Sequence, residues 1–185
     1  MIEDVLVEGE RRMQKAIGVL MEDLATVRTG RASTSLLDGV HVLYYGTPTP
    51  LNQLASVTVG DARTLLITAY DRSVLPEIDK AIRKADLGLN PSSDGAVMRV
   101  IVPALTEDRR REMVKVVHKK LEEHKVAVRN VRREVQDHLK ALEKDKSASA
   151  DDVRRATERL QKLTDRAIAD MEQLGAHKEA DVLAV

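Results

Sequence analysis

The sequence predicts an α+β protein, an elongated three-helix bundle with a small inserted β/α/β domain. Two observations support this fold class. Apolar residues recur at steps of three and four over residues 2–28, 106–146 and 151–174, which is the spacing of amphipathic helices. Over residues 31–105 the pattern changes to an alternation of apolar and polar residues, which is typical of strands. Because no helix can bury its own apolar face, we expect the three long helices to pack together.

The inserted segment divides the chain into two domains. We expect residues 1–30 plus 105–185 to form the bundle and residues 31–104 to form the β/α/β domain. The chain then crosses between the domains twice, over short connections near residues 29–33 and 103–106. Two short connections side by side are typical of a hinge.

The first helix is predicted to cover residues 2–28. It should end at Thr29-Gly30, since glycine suits the left-handed conformation that often follows a helix. Gly9 and Gly18 each weaken it by about 1 kcal/mol relative to alanine, so packing must hold it. Its apolar face consists of Leu6, Met13, Ile17, Leu20, Leu24 and Val27.

The inserted domain is predicted as short strands around one helix. A first strand ends at Tyr45, because the two prolines of Gly46–Pro50 favour a stiff, extended turn. A second turn is expected at Ser92–Gly95. The other elements are strands over 55–59, 64–70 and 97–102 and a helix over about 74–84.

The middle helix should run from Thr106 to about Lys146, since this stretch contains no proline or glycine. At 1.5 Å per residue it would be about 60 Å long. The third helix begins at Asp151-Asp152, and Gly175 is expected to end or fray it. The side of the middle helix that packs on the other two is predicted to hold Val114, Val117, Leu121, His124, Val128, Val131, Val135, His138 and Leu142.

A basic stripe lies beside this apolar side. It consists of His118, Lys125, Arg129, Arg132 and Lys140, with Arg133 adjacent. No acid interrupts the sequence between Lys125 and Arg133, and guanidinium groups suit bidentate contacts with phosphates. On the residues alone, a solvated face is an equally good interpretation, with Arg129 paired to Glu122 and Arg133 to Asp137.

Composition narrows the function classes. The chain has 30 basic and 30 acidic residues, so binding to polyanions in general is not expected. It has no cysteine, no apolar run of about 20 residues and no signal peptide, which predicts a soluble, cytoplasmic protein. With three tyrosines as its only aromatic residues, base stacking on aromatic platforms is disfavoured.

Enzymatic activity is not expected. The sequence contains no phosphate-binding loop, dinucleotide fingerprint or nucleophile elbow. His124 and His138 would lie about 21 Å apart along one helix, too far to share a metal ion, and His118 lies on another face. We therefore expect no catalytic residue, no metal ligand and no cofactor, and interpret the histidines as interface or surface residues.

Five separated blocks, spread over essentially the whole chain, resemble bacterial ribosome recycling factors. They are VRTGRAS (27–33), YYGTPTPL (44–51), DLGLNP (86–91), LTEDRR (105–110) and VAVRNVRR (126–133). The resemblance implies a factor that acts on the post-termination ribosome together with elongation factor G and splits it into subunits. GTP hydrolysis would belong to that partner, and we expect this chain to act as a monomer.

The resemblance also implies roles for particular residues. Contacts with 23S ribosomal RNA of the large subunit would come mainly from Arg132 and Arg129, with Arg133 and Lys125 nearby. Arg28 and Arg31 would flank the first crossing between the domains. The hinge would consist of Thr29, Gly30, Arg31, Ala32 and Ser33 on one strand of chain and Pro103, Ala104, Leu105 and Thr106 on the other.

Two positions depart from the family pattern. Thr34 and Ala104 stand where family members often have proline, so we hypothesise a hinge with a broader range of angles. The alternative function is a helical scaffold whose basic stripe binds an acidic protein partner.

Overall fold

The computed structural model describes residues 1–184, which divide into two compact units. The first contains residues 1–29 and the described chain from Glu107 onward, and the second is Gly30–Thr106. The helices are α1 (Ile2–Ala25), α2 (Leu51–Leu54), α3 (Leu75–Lys84), α4 (Glu107–Lys144) and α5 (Ala150–Leu183). The strands are β1 (His41–Tyr44), β2 (Thr47–Pro50), β3 (Ala55–Asp61), β4 (Thr64–Ala69), β5 (Asn90–Ser93) and β6 (Met98–Ile101), and 3₁₀ helices cover Thr34–Leu37 and Arg72–Val74.

In the first unit α1, α4 and α5 pack against one another around a single apolar core. All six residues predicted for the inner face of α1 are buried. Two glycines let the helices approach closely. A Cβ on Gly9 would lie 2.8 Å from Val135 Cγ2, and one on Gly175 would lie 2.8 Å from Leu121 Cδ2.

The ends of α1 and α5 differ from prediction. The first helix stops at Ala25, earlier than expected, because the Thr26 amide and hydroxyl both donate to the carbonyl of Asp23. The prediction that Gly175 ends or frays the third helix is wrong. Gly175 is buried against α4, and α5 continues to Leu183.

The inner side of α4 also differs from prediction at two points. His138 was predicted there and is exposed, whereas Leu139 is fully buried. The buried positions are therefore Val135, Leu139 and Leu142, which are separated by four and then three residues. This spacing agrees with 3.6 residues per turn. The position of Lys125 is a second difference, because this cation is buried among the apolar residues.

The second unit is built on a four-stranded antiparallel sheet in the order β3-β4-β6-β5. A two-stranded sheet of β1 and β2 and helix α3 complete it. Residues that alternate along the central strands are fully buried against α3, as a half-exposed sheet requires. They are Leu65 and Ile67 of β4 and Met98 and Val100 of β6, and they share this core with Ile78 and Ile82 of α3.

The prediction that Gly46–Pro50 forms a stiff turn is wrong. Tyr45 and Gly46 alone form the turn, with φ of 49° and 79°, and β2 pairs antiparallel with β1. Positive φ at both turn residues suits a tight hairpin. The prolines of β2 lie opposite Leu43 and His41, where the antiparallel pattern of hydrogen bonds leaves the strand amides unused. The second predicted turn is also shorter, because Ser92 and Ser93 belong to β5.

Candidate nucleic-acid interface

Three arginines share one stretch of α4. Val128 and Val131 of the same turns are buried in the bundle core, which fixes this part of the helix. Arg129, Arg132 and Arg133 are exposed on its outer side. The packing therefore presents three guanidinium groups on a rigid surface.

Two of these guanidinium groups have no carboxylate partner. Among residues 1–184, Arg129 and Arg133 make no ion pair or hydrogen bond through their side chains, so the pairs with Glu122 and Asp137 that the sequence left open do not form. Glu122 instead accepts a hydrogen bond from Nζ of Lys125 at 3.2 Å. The charge of both arginines remains available to an external anion.

Arg132 has a neutral partner. Its Nη1 donates to Oε1 of Gln161 on α5 at 3.2 Å. Arg129 and Arg132 line one rim of a groove of about 380 Å³ between α4 and α5. The α5 rim carries two carboxylates, of Asp165 and Glu172, so an anion in the groove is favoured on the α4 side only.

Lys125 is placed differently from the arginines. Its side chain is 9% exposed, and its Nζ lies 2.9 Å from Oε1 of Glu172 and 3.2 Å from Oε1 of Glu122. The hydrogen bond with Glu172 raises the pKa of Lys125, so the ammonium stays charged. This residue links α4 to α5 and does not present a free cation on the basic stripe.

Two of the three histidines of α4 contact carboxylates of the neighbouring helices, whereas His138 is exposed. Nε2 of His118 lies 2.9 Å from Glu179 on α5, and Nε2 of His124 lies 2.8 Å from Oδ2 of Asp23 on α1. Nζ of Lys120 lies 2.5 Å from the other oxygen of Asp23. Hydrogen bonds from Lys120 and His124 hold the pKa of Asp23 below its usual range.

Within residues 1–184 no three side chains of the metal-ligating types come together, and no helix is long and apolar enough to cross a membrane. The remaining predicted contact residues lie outside α4. Arg28 and Arg31 are both exposed and follow the end of α1, with Arg31 already in the second unit.

The two connections between α1, the inserted segment and α4 lie side by side. Gly30 has φ of 76°, and a Cβ on it would lie 3.3 Å from the backbone nitrogen of Leu105. Ala32 donates its amide to Ala62 at 2.7 Å, and the hydroxyl of Ser33 caps the first 3₁₀ helix. Ala32 and Ser33 are therefore fixed within the second unit.

Comparison with known proteins gives the family. A family model described as "Ribosome recycling factor" matches residues 20–183. Curated ribosome-recycling factors from Methylobacillus flagellatus and Bacillus subtilis are 54% and 52% identical to this chain, each over 185 residues and 100% of both chains. The chain belongs to the ribosome recycling factor family.

Solved structures of ribosome recycling factors share the fold. A solution structure of the ribosome recycling factor matches with a TM-score of 0.75 and 42% identity, over 100% of this chain and 98% of that one. A second match is a T. thermophilus ribosome recycling factor, from models with E. coli elongation factor G bound to the E. coli post-termination complex. Its TM-score is 0.66 and its sequence identity is 44%, over 100% of both chains. The resemblance and the fold class predicted from the sequence are confirmed.

Sequence reasoning missed two residues that contact basic side chains of α4, Gln161 and Asp23. Gln161 gave no signal, because a lone glutamine on an amphipathic helix is an ordinary surface residue. Asp23 was also missed, since its contact with His124 joins residues 101 positions apart. Only the packing of the helices brings either residue to its partner.

Proposed function

We propose that this chain binds the post-termination ribosome and, with elongation factor G, promotes its splitting into subunits and its release from mRNA. Family membership supports this function, and so do the models of a related ribosome recycling factor and elongation factor G bound to a post-termination complex. The chain would act as a monomer in the cytoplasm. GTP hydrolysis belongs to the partner, and this chain contributes binding and mechanical coupling without a catalytic step or cofactor.

The observation that carries the proposal is the group of arginines on α4. Arg129, Arg132 and Arg133 are exposed, and no carboxylate among the described residues neutralises them. Guanidinium groups bind phosphate oxygens bidentately, and a packed helix holds them at fixed spacing. We propose that they anchor the bundle on the phosphate backbone of 23S ribosomal RNA.

The other residues predicted to contact ribosomal RNA have different roles in the proposal. Arg28 and Arg31 are exposed, and we propose that they add contacts near the connection between the units. Lys125 supports the surface indirectly, because its ammonium is engaged by Glu172 and Glu122. We therefore assign it to the α4–α5 interface rather than to direct RNA contact.

We propose that the two connections between the units, Thr29–Ser33 and Pro103–Thr106, form the hinge. The pivot of the first connection lies at Thr29–Arg31, because Ala32 and Ser33 are held by hydrogen bonds within the second unit. The positive φ of Gly30 and its close contact with Leu105 require glycine at this point.

The hinge can be tested at the two positions that lack the family's proline. Thr34 begins a 3₁₀ helix inside the second unit, whereas Ala104 lies in the second connection. Ala104→Pro should narrow the distribution of inter-domain distances measured by fluorescence energy transfer, and Thr34→Pro should change it less. An unchanged distribution for Ala104→Pro would refute the broader hinge.

Binding to isolated large subunits over a salt series tests the anchor. Affinity should fall steeply with salt, and Arg132→Ala should lower the slope by about 0.9, the value of one phosphate contact. Arg154→Ala is the matched control, since Arg154 is an exposed arginine on α5. If Arg132→Ala matches wild type in both affinity and slope, the assigned role is wrong.

Subunit splitting, followed by light scattering, tests the reaction itself. Splitting should require this chain, elongation factor G and GTP together. Efficient splitting without elongation factor G, or nucleotide hydrolysis by the purified chain, would contradict a non-enzymatic factor that depends on its partner.

A further inference from the structure

An amide, rather than a carboxylate, holds Arg132 from across the bundle. Oε1 of Gln161 accepts the hydrogen bond from Arg132 at 3.2 Å. Nε2 of the same amide donates to Oδ1 of Asp165, one turn further along α5, at 2.8 Å. Because the acid accepts only from the nitrogen, it fixes the amide with its oxygen toward the guanidinium.

Other arginines that reach across the bundle meet carboxylates directly. Arg159 donates to both oxygens of Glu3 at 2.7 and 3.0 Å, and a guanidinium nitrogen of Arg12 lies 2.6 Å from Glu134. Those pairs offset the positive charge of the guanidinium. The amide contact restricts the side chain of Arg132 and leaves its charge uncompensated.

We propose that Gln161 is a positioning residue for RNA binding, which orients Arg132 at the rim of the α4–α5 groove without neutralising it. The inference rests on the proposed anchoring of Arg132 on phosphates of ribosomal RNA. A side chain that is already oriented loses less conformational freedom when it binds. A carboxylate at position 161 would also orient the guanidinium but would compete with the phosphate for its charge.

Two substitutions separate orientation from charge. Gln161→Met removes the hydrogen bond and keeps the charge of Arg132, and Gln161→Glu keeps a partner and offsets the charge. The matched control is Gln136→Met. Gln136 also bridges α4 and α5, with its Nε2 donating to Thr157 Oγ1 at 3.3 Å, and within residues 1–184 it makes no hydrogen bond with an arginine. The full-length variants are compared in binding to isolated large subunits over a salt series.

Gln161→Met should change only the affinity for large subunits, whereas Gln161→Glu should change both the affinity and the salt slope. Gln161→Met weakens binding about two- to tenfold, the cost of ordering one long side chain, with an unchanged salt slope. Gln161→Glu weakens binding further and lowers the slope by about 0.9. In an Arg132→Ala background Gln161→Met has no further effect, and Gln136→Met binds like wild type throughout.

Three results would overturn the inference or its basis. Wild-type binding by both Gln161 variants, alongside weaker binding by Arg132→Ala, removes the positioning role and leaves the anchor intact. An equal loss for Gln161→Met with and without Arg132 shows that Gln161 acts independently of it, which also removes the role. Wild-type binding by Arg132→Ala removes the proposed anchor itself.

Discussion

Two neighbouring stretches of α4 use basic side chains in opposite ways. In residues 118–125, which we call the paired stretch, His118, Lys120, His124 and Lys125 each contact a carboxylate on α1 or α5. In residues 129–133, the open stretch, no arginine contacts a carboxylate within the described chain. Both stretches are rich in basic residues and lie within a few turns of each other, but only the paired stretch contains acids, Glu122 and Glu123.

The difference lies mainly in the neighbouring helices, although Lys125 also contacts Glu122 of α4 itself. Where α1 or α5 places an acid opposite a cation, as Asp23 does, the charge contributes to bundle stability. Where α5 places Gln161 opposite Arg132, the charge remains available to a phosphate. Before a polyanion-binding site is assigned to a basic helix in a bundle, the residues that lie opposite it on the neighbouring helices therefore have to be known.

The largest expected effect concerns the open stretch. Replacing Arg129, Arg132 and Arg133 together by alanine should weaken binding to large subunits about 1000-fold, at roughly tenfold for each of three charge-assisted contacts. The salt slope should fall by about 2.7. The free energy of unfolding should change by less than about 0.5 kcal/mol, because exposed side chains without carboxylate partners contribute little.

A triple substitution by lysine is the matched control for this variant. It keeps three charges, so the slope should remain, while the loss of bidentate geometry lowers affinity. If the alanine variant kept the wild-type slope, the contrast between the two stretches would not concern RNA at all.

The next effect is expected in the paired stretch. Asp23→Asn removes the charge that binds both Lys120 and His124, and should lower the free energy of unfolding by about 2 kcal/mol, a typical value for hydrogen bonds with charged partners. Chemical denaturation measures it. The salt slope of ribosome binding should not change, and a reduced slope would show that the two stretches are not independent.

The pH dependence of this cluster follows from the lowered pKa of Asp23. Hydrogen bonds from Lys120 and His124 stabilise the ionised carboxylate, so its contribution is present above the unfolded-state pKa of about 3.9. It is lost as the pH falls through the lower folded-state value. The stability gap between wild type and Asp23→Asn should therefore narrow as the pH is lowered from 5 to below about 3.9. A constant gap over that range would assign the effect to packing.

The bundle could be predicted from the sequence because an apolar face repeats over many turns of each helix. All six residues predicted for the apolar face of the first helix are buried, although the buried Gly9 was not among them and Val27 lies beyond the end of α1. The chain order of the elements follows from the change in period. Errors fell where one local contact overrides the pattern. Thr26 ends α1 early, Gly175 is kept in α5 by close packing, and the hairpin turn is set by the positive φ of Tyr45 and Gly46.

The candidate site was predicted only in part. Arg129, Arg132 and Arg133 were identified by type and spacing, but their lack of carboxylate partners depends on which residues of α5 lie opposite. The same dependence misplaced Lys125, whose register on α4 differs from that of Arg132 by seven residues, or about two turns. Sequence spacing placed Lys125 and Arg132 on one stripe. Their roles differ because Lys125 contacts the carboxylate of Glu172, whereas Arg132 contacts the neutral amide of Gln161.

The smallest expected effect is that of Lys125→Met on stability, and it tests whether Lys125 belongs to the paired stretch or acts with the arginines of the open stretch. Its stem is buried, while Glu172 and Glu122 remain 57% and 63% exposed and would stay solvated without it. Lys125→Met preserves the packed stem, so the free energy of unfolding should change by less than about 1 kcal/mol. Lys125→Ala, the matched control, removes the stem as well and should cost about 2 kcal/mol.

Ribosome binding by Lys125→Met completes the test. A side chain that belongs to the α4–α5 interface contributes no phosphate contact, so the salt slope on large subunits should equal that of wild type. A slope lowered by about 0.9 would instead place Lys125 with the arginines. The ammonium would then have to leave Glu172 when RNA binds, since its present hydrogen bonds keep it inside the interface.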